Sequence, residues 1–244
     1  MALSKAKISY IRSLHQKKYR QMYAKFLVEG DKSVRELMNS KFSIDEIFAT
    51  PTWQGQHQKL EIVSDAELEN LSTMPSPDQV IAVACQTQER SLELENDKFY
   101  VACDGINDPG NAGTILRIAD WFGAAGVLFS KNSVEIYNPK VVSSSKGSIF
   151  RVPFFEADLA ATFRKHPELP ILGTDMHGTP LDQIHLPASG ILVMGSEAHG
   201  ISSELQPLLK LKVAIPSYGK AESLNVGVAT GILLHEWRRT FEVR

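Results

Sequence analysis

The period of apolar and polar positions changes several times along the chain, and each change marks an element. Ile8, Ile11 and Leu14 recur at three-residue spacing, one apolar stripe on a helix predicted from Leu3 to about Gln21. A short strand at Phe26–Val28 follows, then a helix at about Lys32–Met38 and strands at Ile44–Ala49 and Glu61–Val63. Ser64-Asp65-Ala66-Glu67 reads as a capping box, whose hydroxyl and carboxylate satisfy amides at a helix start. It opens a short helix to about Leu71, and Val80–Ala84 adds a fourth strand. The pattern predicts a compact α/β unit without an internal repeat.

Thr87–Lys98 is rich in Gln, Glu and Asp and poor in apolar residues, so it reads as a linker. The expected division is residues 1–88, a linker at 89–98, and residues 99–244. Phe99–Cys103 is apolar throughout, as suits a parallel strand buried on both faces. A ten-residue polar turn, Asp104–Gly113, then opens a helix at about Thr114–Phe122. Strands follow at Val127–Phe129, Val152–Phe154, Ile171–Thr174, Ile191–Met194 and Leu211–Ile215. Between them lie a small-residue segment, Asn138–Gly147, and helices at Ala157–Lys165 and Ser203–Leu209. Ser223 is the expected N-cap of a last helix from Leu224 to about Arg239. Alternating strands and helices imply a mostly parallel sheet covered on both faces.

Charge changes this picture. Residues 1–41 carry ten Lys or Arg against three acids, a net of +7 in a chain of net −2, so the remainder carries −9. A basic segment on an acidic chain points to a polyanion held by its N-terminal part, with a solvated helix face as the alternative. The N-terminus lacks an apolar signal core and no apolar run reaches the roughly 18 residues of a membrane span. A cytoplasmic protein is expected. Cys85 and Cys103 fit no metal spacing and read as buried thiols of a reducing compartment.

Three polar loops each follow a predicted strand: Asn107–Gly113, Gly195–Gly200 and Pro216–Ser223. Loops at strand C-termini can share one crevice. Gly195–Gly200 is not a Walker A loop, because Ile201-Ser202 stands where Lys-Ser/Thr is required. The dinucleotide fingerprint Gly-x-Gly-x-x-Gly and the hydrolase elbow Gly-x-Ser-x-Gly are both missing. The seven His are scattered, and no metal site is expected.

In this order the loops resemble the three motifs of the SpoU (TrmH-type) branch of the SPOUT RNA methyltransferases. The first runs Asn107-Asp-Pro-Gly-Asn111-Ala-Gly113-Thr-Ile-Leu-Arg117, the second Met194-Gly195-Ser-Glu197-Ala-His-Gly200-Ile201, and the third Ile215-Pro216-Ser-Tyr-Gly219-Lys-Ala-Glu-Ser223-Leu224-Asn225-Val226. Ser217 and Gly227 depart from the family, which often has Met and Ser there. Phe26-Leu-Val-Glu-Gly30 before a helix is similar to the start of a small ribosomal-protein-like RNA-binding domain.

The resemblance implies a C-terminal trefoil knot and S-adenosylmethionine bound bent within it. It also implies a homodimer and methyl transfer to a ribose 2′-hydroxyl of RNA, ribosomal RNA ahead of transfer RNA. A non-catalytic RNA-binding or assembly factor is the alternative. The implied cofactor residues are Thr174, Met194, Gly195, Ile215, Pro216, Ser223, Leu224 and Asn225. The implied catalytic residues are Asn111, Arg117, Glu197, Ser223 and Asn225. Arg is effectively always protonated, so Arg117 is expected to clamp phosphate and stabilise developing alkoxide rather than act as a base. Asn111 is expected to position substrate ahead of being a mere cap. Glu197 either holds its loop or takes part directly. Lys5, Arg12, Lys17, Lys18 and Arg20, with Arg117, are the expected RNA contacts. For Lys140, Lys146 and Ser143–Ser145, a polar turn and a phosphate contact both stand.

Overall fold

The computed structural model describes residues 3–72, 74, 77–87 and 93–242, so residues 89–92 of the expected linker lie outside it. The chain forms two compact units, Met1–Glu89 with Glu135–Arg151, and Arg90–Val134 with Val152–Arg244. The sequence pattern gave no sign of the excursion at 135–151.

The first unit begins with two helices, α1 (Lys5–Ser13) and α2 (Lys17–Tyr23), where one continuous helix was expected. At the break the Leu14 carbonyl accepts from the Arg20 guanidinium, 2.9 Å, instead of from a fourth-along amide, and Glu135, far along the chain, holds that guanidinium in place. Then come β1 (Lys25–Glu29), α3 (Asp31–Met38), β2 (Ile44–Ala49), β3 (Leu60–Ile62), α4 (Asp65–Leu71) and β4 (Val80–Cys85). The strand order is β1-β4-β2-β3, with β4 antiparallel to both neighbours and β2 parallel to β3. The Ser64–Glu67 capping box forms as expected at the start of α4. Ile11, Leu14, Leu27, Phe48, Leu68 and Val83 pack in the core.

The second unit opens with β5 (Phe99–Asp104), α5 (Pro109–Phe122) and β6 (Gly126–Ser130). The excursion carries α6 (Pro139–Ser145), a helix where the sequence suggested only small residues; Asn138 caps it by accepting from the Lys140 amide, 2.9 Å. The second unit resumes with β7 (Phe154–Ala157), α7 (Leu159–Lys165), β8 (Ile171–Pro180), β9 (Gly190–Gly195), β10 (Leu211–Ala214) and α8 (Val226–Glu242). Its six strands, all parallel, run in the order β10-β8-β9-β5-β6-β7. β5 and β6 are buried at every position, as their apolar runs require. Two expectations change here. The predicted helix at Ser203–Leu209 is a turn with a short 3₁₀ segment at Gln206–Leu208, held by Pro207. The cap of α8 is Asn225 rather than Ser223: its Oδ1 accepts from the amides of Gly227 (2.9 Å) and Val228 (3.3 Å).

Cys103 is fully buried, which pushes its thiol pKa far up, whereas Cys85 is only partly buried. No described helix is long and apolar enough to cross a membrane.

Candidate active site

Because the six strands are parallel, the loops that follow β5, β9 and β10 leave the same edge of the sheet. An opening exists at that edge because β8 parts from β9. The two pair only from Ile171 to Gly173. The ladder of β8 with β10 also skips, from Gly173–Lys212 to Thr179–Val213, leaving residues 174–178 to bow outward. Gly178 permits the return: a Cβ there would come within 2.7 Å of the Lys212 carbonyl. Thr174 Oγ1 donates to the Val193 carbonyl, 3.3 Å, just past the last paired position. Asp175 fixes the bow. Its carboxyl is held below the usual carboxylate range by the His177 amide and by the Lys212 ammonium, against the opposing effect of burial.

The result is a cleft of about 870 Å³, a size suited to a nucleoside-bearing ligand. One wall is the bow, a second is the Met194–Ile201 loop, and a third is the run from Val213 to Leu224. Seven of the eight expected cofactor residues line it: Thr174, Met194, Gly195, Ile215, Pro216, Ser223 and Leu224. Leu224, an apolar residue of the lining, is 48% exposed. Residues 217–224 make no backbone hydrogen bond within the protein among the described residues, so their amides and carbonyls are available to a ligand. The Oε1 of Gln206 is a buried acceptor without a partner. This mixture of apolar wall, open backbone and spare acceptor fits an adenosyl group carrying an amino-acid tail.

Asn225, the eighth residue, stands outside that lining, and so do Asn111 and Arg117. Asn111 and Asn225 instead belong to a side-chain relay that joins all three loops. Asn225 Nδ2 donates to Asn111 Oδ1, 2.9 Å, and Asn111 Nδ2 donates to Glu197 Oε1, 2.6 Å. The Asn111 amide in turn donates to Asp108 Oδ1, 2.8 Å, and Asp108 caps α5 with Pro109 in its first turn. Both ends of the Asn111 carboxamide are therefore committed within the protein, so it acts on loop positions before it can act on substrate. Glu197 sits in a tight turn closed by reciprocal Ser196–Gly200 backbone bonds of 3.0 and 2.9 Å. Gly195 serves that turn: a Cβ there would overlap the Gly200 carbonyl carbon and the Ile201 amide. The close approach expected of Gly195 is thus first an approach by its own loop.

Arg117 lies on an exposed position of α5 and has no hydrogen-bond or ion-pair partner among the described residues. In the first unit Lys5, Arg12, Lys17 and Lys18 are likewise exposed. Arg20 corrects the expectation of an RNA contact. It is 2% exposed, and its Nε donates to Glu135 Oε1, 3.0 Å, in a salt bridge that ties the excursion to α2. Its charge is compensated inside the protein and is not presented to a phosphate.

Sequence reasoning missed most of the bow, Asp175–Gly178, together with Gln206 and Tyr218 in the cleft wall. The one available signal was Gly173 and Gly178 bracketing a polar interruption at the end of an apolar strand.

Comparison with known proteins adds the following. Residues 98–235 match the model of the SpoU rRNA Methylase family, and residues 5–82 match an MRM3-like substrate binding domain. The 23S rRNA (guanosine(2553)-2′-O)-methyltransferase RlmP of Bacillus subtilis is 29% identical over 95% of this chain and 96% of its own. Among solved structures, a proposed RNA methyltransferase of the TrmH family from Porphyromonas gingivalis is 34% identical, with a TM-score of 0.87 over 98% of this chain and 99% of its own. An AdoMet-bound rRNA methyltransferase from Sinorhizobium meliloti is 27% identical, with a TM-score of 0.86 over 98% and 96%.

Proposed function

Since the chain belongs to the SpoU rRNA methylase family, we infer that it methylates a ribose 2′-hydroxyl of ribosomal RNA with S-adenosylmethionine as donor. The observation that carries this reading is the Asn225–Asn111–Glu197 relay, which joins the three motif loops beside a cleft of suitable size and chemistry.

When bound, S-adenosylmethionine supplies an electrophilic methyl group. Leu224, Ile215 and Met194 would give its adenosine an apolar seat, and the open amides of residues 217–224 and Gln206 Oε1 would be available to its polar groups. Displacement needs the 2′-oxygen in line with the methyl carbon, so fixed geometry contributes much of the rate. The relay fixes that geometry by tying together the first turn of α5, the turn after β9 and the cap of α8. Ser223 is exposed in the cleft lining, a position from which its hydroxyl would meet an arriving ribose. The unpaired Arg117 guanidinium clamps the backbone phosphate beside the target and stabilises charge developing on the 2′-oxygen. Lys5, Arg12, Lys17 and Lys18 hold RNA on the first unit.

A homodimer completes the reading. On the packed pair α5 and α8, Trp121 is 83% exposed, Val228 52% and Ile232 38%, large apolar side chains that a partner subunit would cover. The segment 215–225 leads from the edge strand β10 to α8, which packs on α5 and on β9, two strands inward. That course accords with a trefoil knot. Free cysteines accord with a reducing cytoplasm.

The test is mass-spectrometric mapping of ribose methylation in RNA from cells with and without the protein. One 2′-O-methyl mark in ribosomal RNA should disappear and return with purified protein and cofactor. A mark only in transfer RNA, or none together with no cofactor binding by calorimetry, would overturn the assignment. Arg117→Lys should lose most activity with cofactor affinity unchanged; near-normal methylation would exclude a specific guanidinium role.

A further inference from the structure

Three tyrosines meet on α1 and α2 of the first unit: Tyr23 is exposed, Tyr10 and Tyr19 are half-buried, and Tyr10 also packs against the core. Tyr23 lies at the centre. It is edge-on to Tyr10, with centroids 5.0 Å apart at 79°, and nearly parallel to Tyr19, at 6.4 Å and 15°. The Lys18 ammonium stands 5.7 Å from the Tyr19 centroid, and that of Lys25 stands 5.9 Å from the Tyr10 centroid. Such rings are usually core material, yet Tyr23 is 40% exposed and the adjacent Met22 68%. The carboxylates that face Tyr10, Asp45 and Glu46, are ion-paired to Lys25 and Lys7. Lys5, Arg12, Lys17 and Lys18 are exposed on the same two helices without ion-pair partners among the described residues.

We propose that Tyr10, Tyr19 and Tyr23 form a stacking shelf for unpaired bases of the RNA substrate, with the neighbouring cations on its backbone. The proposal rests on the reading of the chain as an RNA methyltransferase and adds to it the form of RNA held by the first unit. Bases in a duplex have their faces covered, so rings exposed at a surface select loops, bulges and single strands. Every base has a π-face, and the shelf is therefore tolerant of sequence. Loss of one stacked base lowers affinity by roughly 5- to 100-fold. Flanking cations contribute a separable, salt-dependent part.

The experiment is fluorescence anisotropy of a labelled mixed-sequence single-stranded RNA and of its blunt duplex, titrated with the full chain across several salt concentrations. Tyr23→Ala and Tyr23→Leu are expected to weaken single-strand binding about tenfold or more, with the salt slope and duplex binding unchanged. Tyr23→Phe keeps the ring and should bind like the parent. Lys18→Ala should lower the salt slope for both RNAs. The shelf is overturned if Tyr23→Ala and Tyr19→Ala bind the single strand within twofold of the parent. It is also overturned if Tyr23→Leu is as good as Tyr23→Phe, or if the parent binds neither RNA. Cofactor calorimetry and methylation of ribosomal RNA by the same variants separate the two readings. Intact methylation with unchanged single-strand binding sinks the shelf alone.

Discussion

Asn111 joins three loops with one side chain. Its carboxamide accepts from Asn225 and donates to Glu197, so a single planar group sets the spacing of three loops. Asn111→Ala should lower kcat/KM for methylation about 10- to 100-fold, equivalent to about 1.4–2.7 kcal/mol of positioning. The chain should stay folded by circular dichroism. Asn111→Asp would set a carboxylate against Glu197 and should be worse; equal or better activity would remove the relay from the mechanism. Arg20 is the contrasting case. Basic composition pointed to RNA, but burial and Glu135 show a structural ion pair. Removing one partner of a buried pair strands the other, so Arg20→Ala should cost about 3–5 kcal/mol in denaturant unfolding. The exposed Lys17→Ala should cost almost nothing in the same assay and should weaken RNA binding.

Elements were legible where local chemistry decides them. The β2 strand follows from Ile44 and the apolar Ile47–Ala49, and the capping box of α4 from a four-residue cap. Elements set by tertiary contacts were not. The break between α1 and α2 depends on a guanidinium six residues away, and α6 packs in the unit from which its sequence position would separate it. The cleft-forming bow of β8 is a failure of strand pairing, which no periodicity reports. The resemblance nevertheless named eight residues of the cleft lining, Glu197 among them, because most of them lie in loops whose chemistry depends on spacing. At α4, the Glu67 carboxyl is held below the ordinary range by the Ser64 amide, then by the Leu3 amide and the Ser64 hydroxyl. A depressed carboxylate contributes stability that is present above its unfolded pKa of about 4.3 and is lost as pH falls through the lower folded value. Acidification through that window should fray α4 and release Leu3, seen as lower amide protection at Glu67 and Leu68 relative to the intrinsic exchange rate at each pH. Glu67→Gln should show the lower protection at neutral pH.

For the molecule as a whole, the exposed face of Trp121, Val228 and Ile232 predicts an assembly larger than one chain. Trp121→Glu should shift sedimentation from dimer to monomer. A parent chain that sediments as a monomer at micromolar concentration would dispose of the dimer. The two-unit plan was visible in the sequence, but its boundary was not, because a composition shift marks a linker and cannot mark an excursion. That excursion carries a kinetic consequence. Tyr137, which packs 4.6 Å from the Phe26 ring, and Glu135, which pairs with Arg20, are synthesised more than a hundred residues after their partners. At translation rates of about 5–20 residues per second, the N-terminal unit spends several seconds with Phe26 uncovered and Arg20 unpaired. Its completion waits for the middle of the chain, so the folding of the half made first overlaps the synthesis of the half made second.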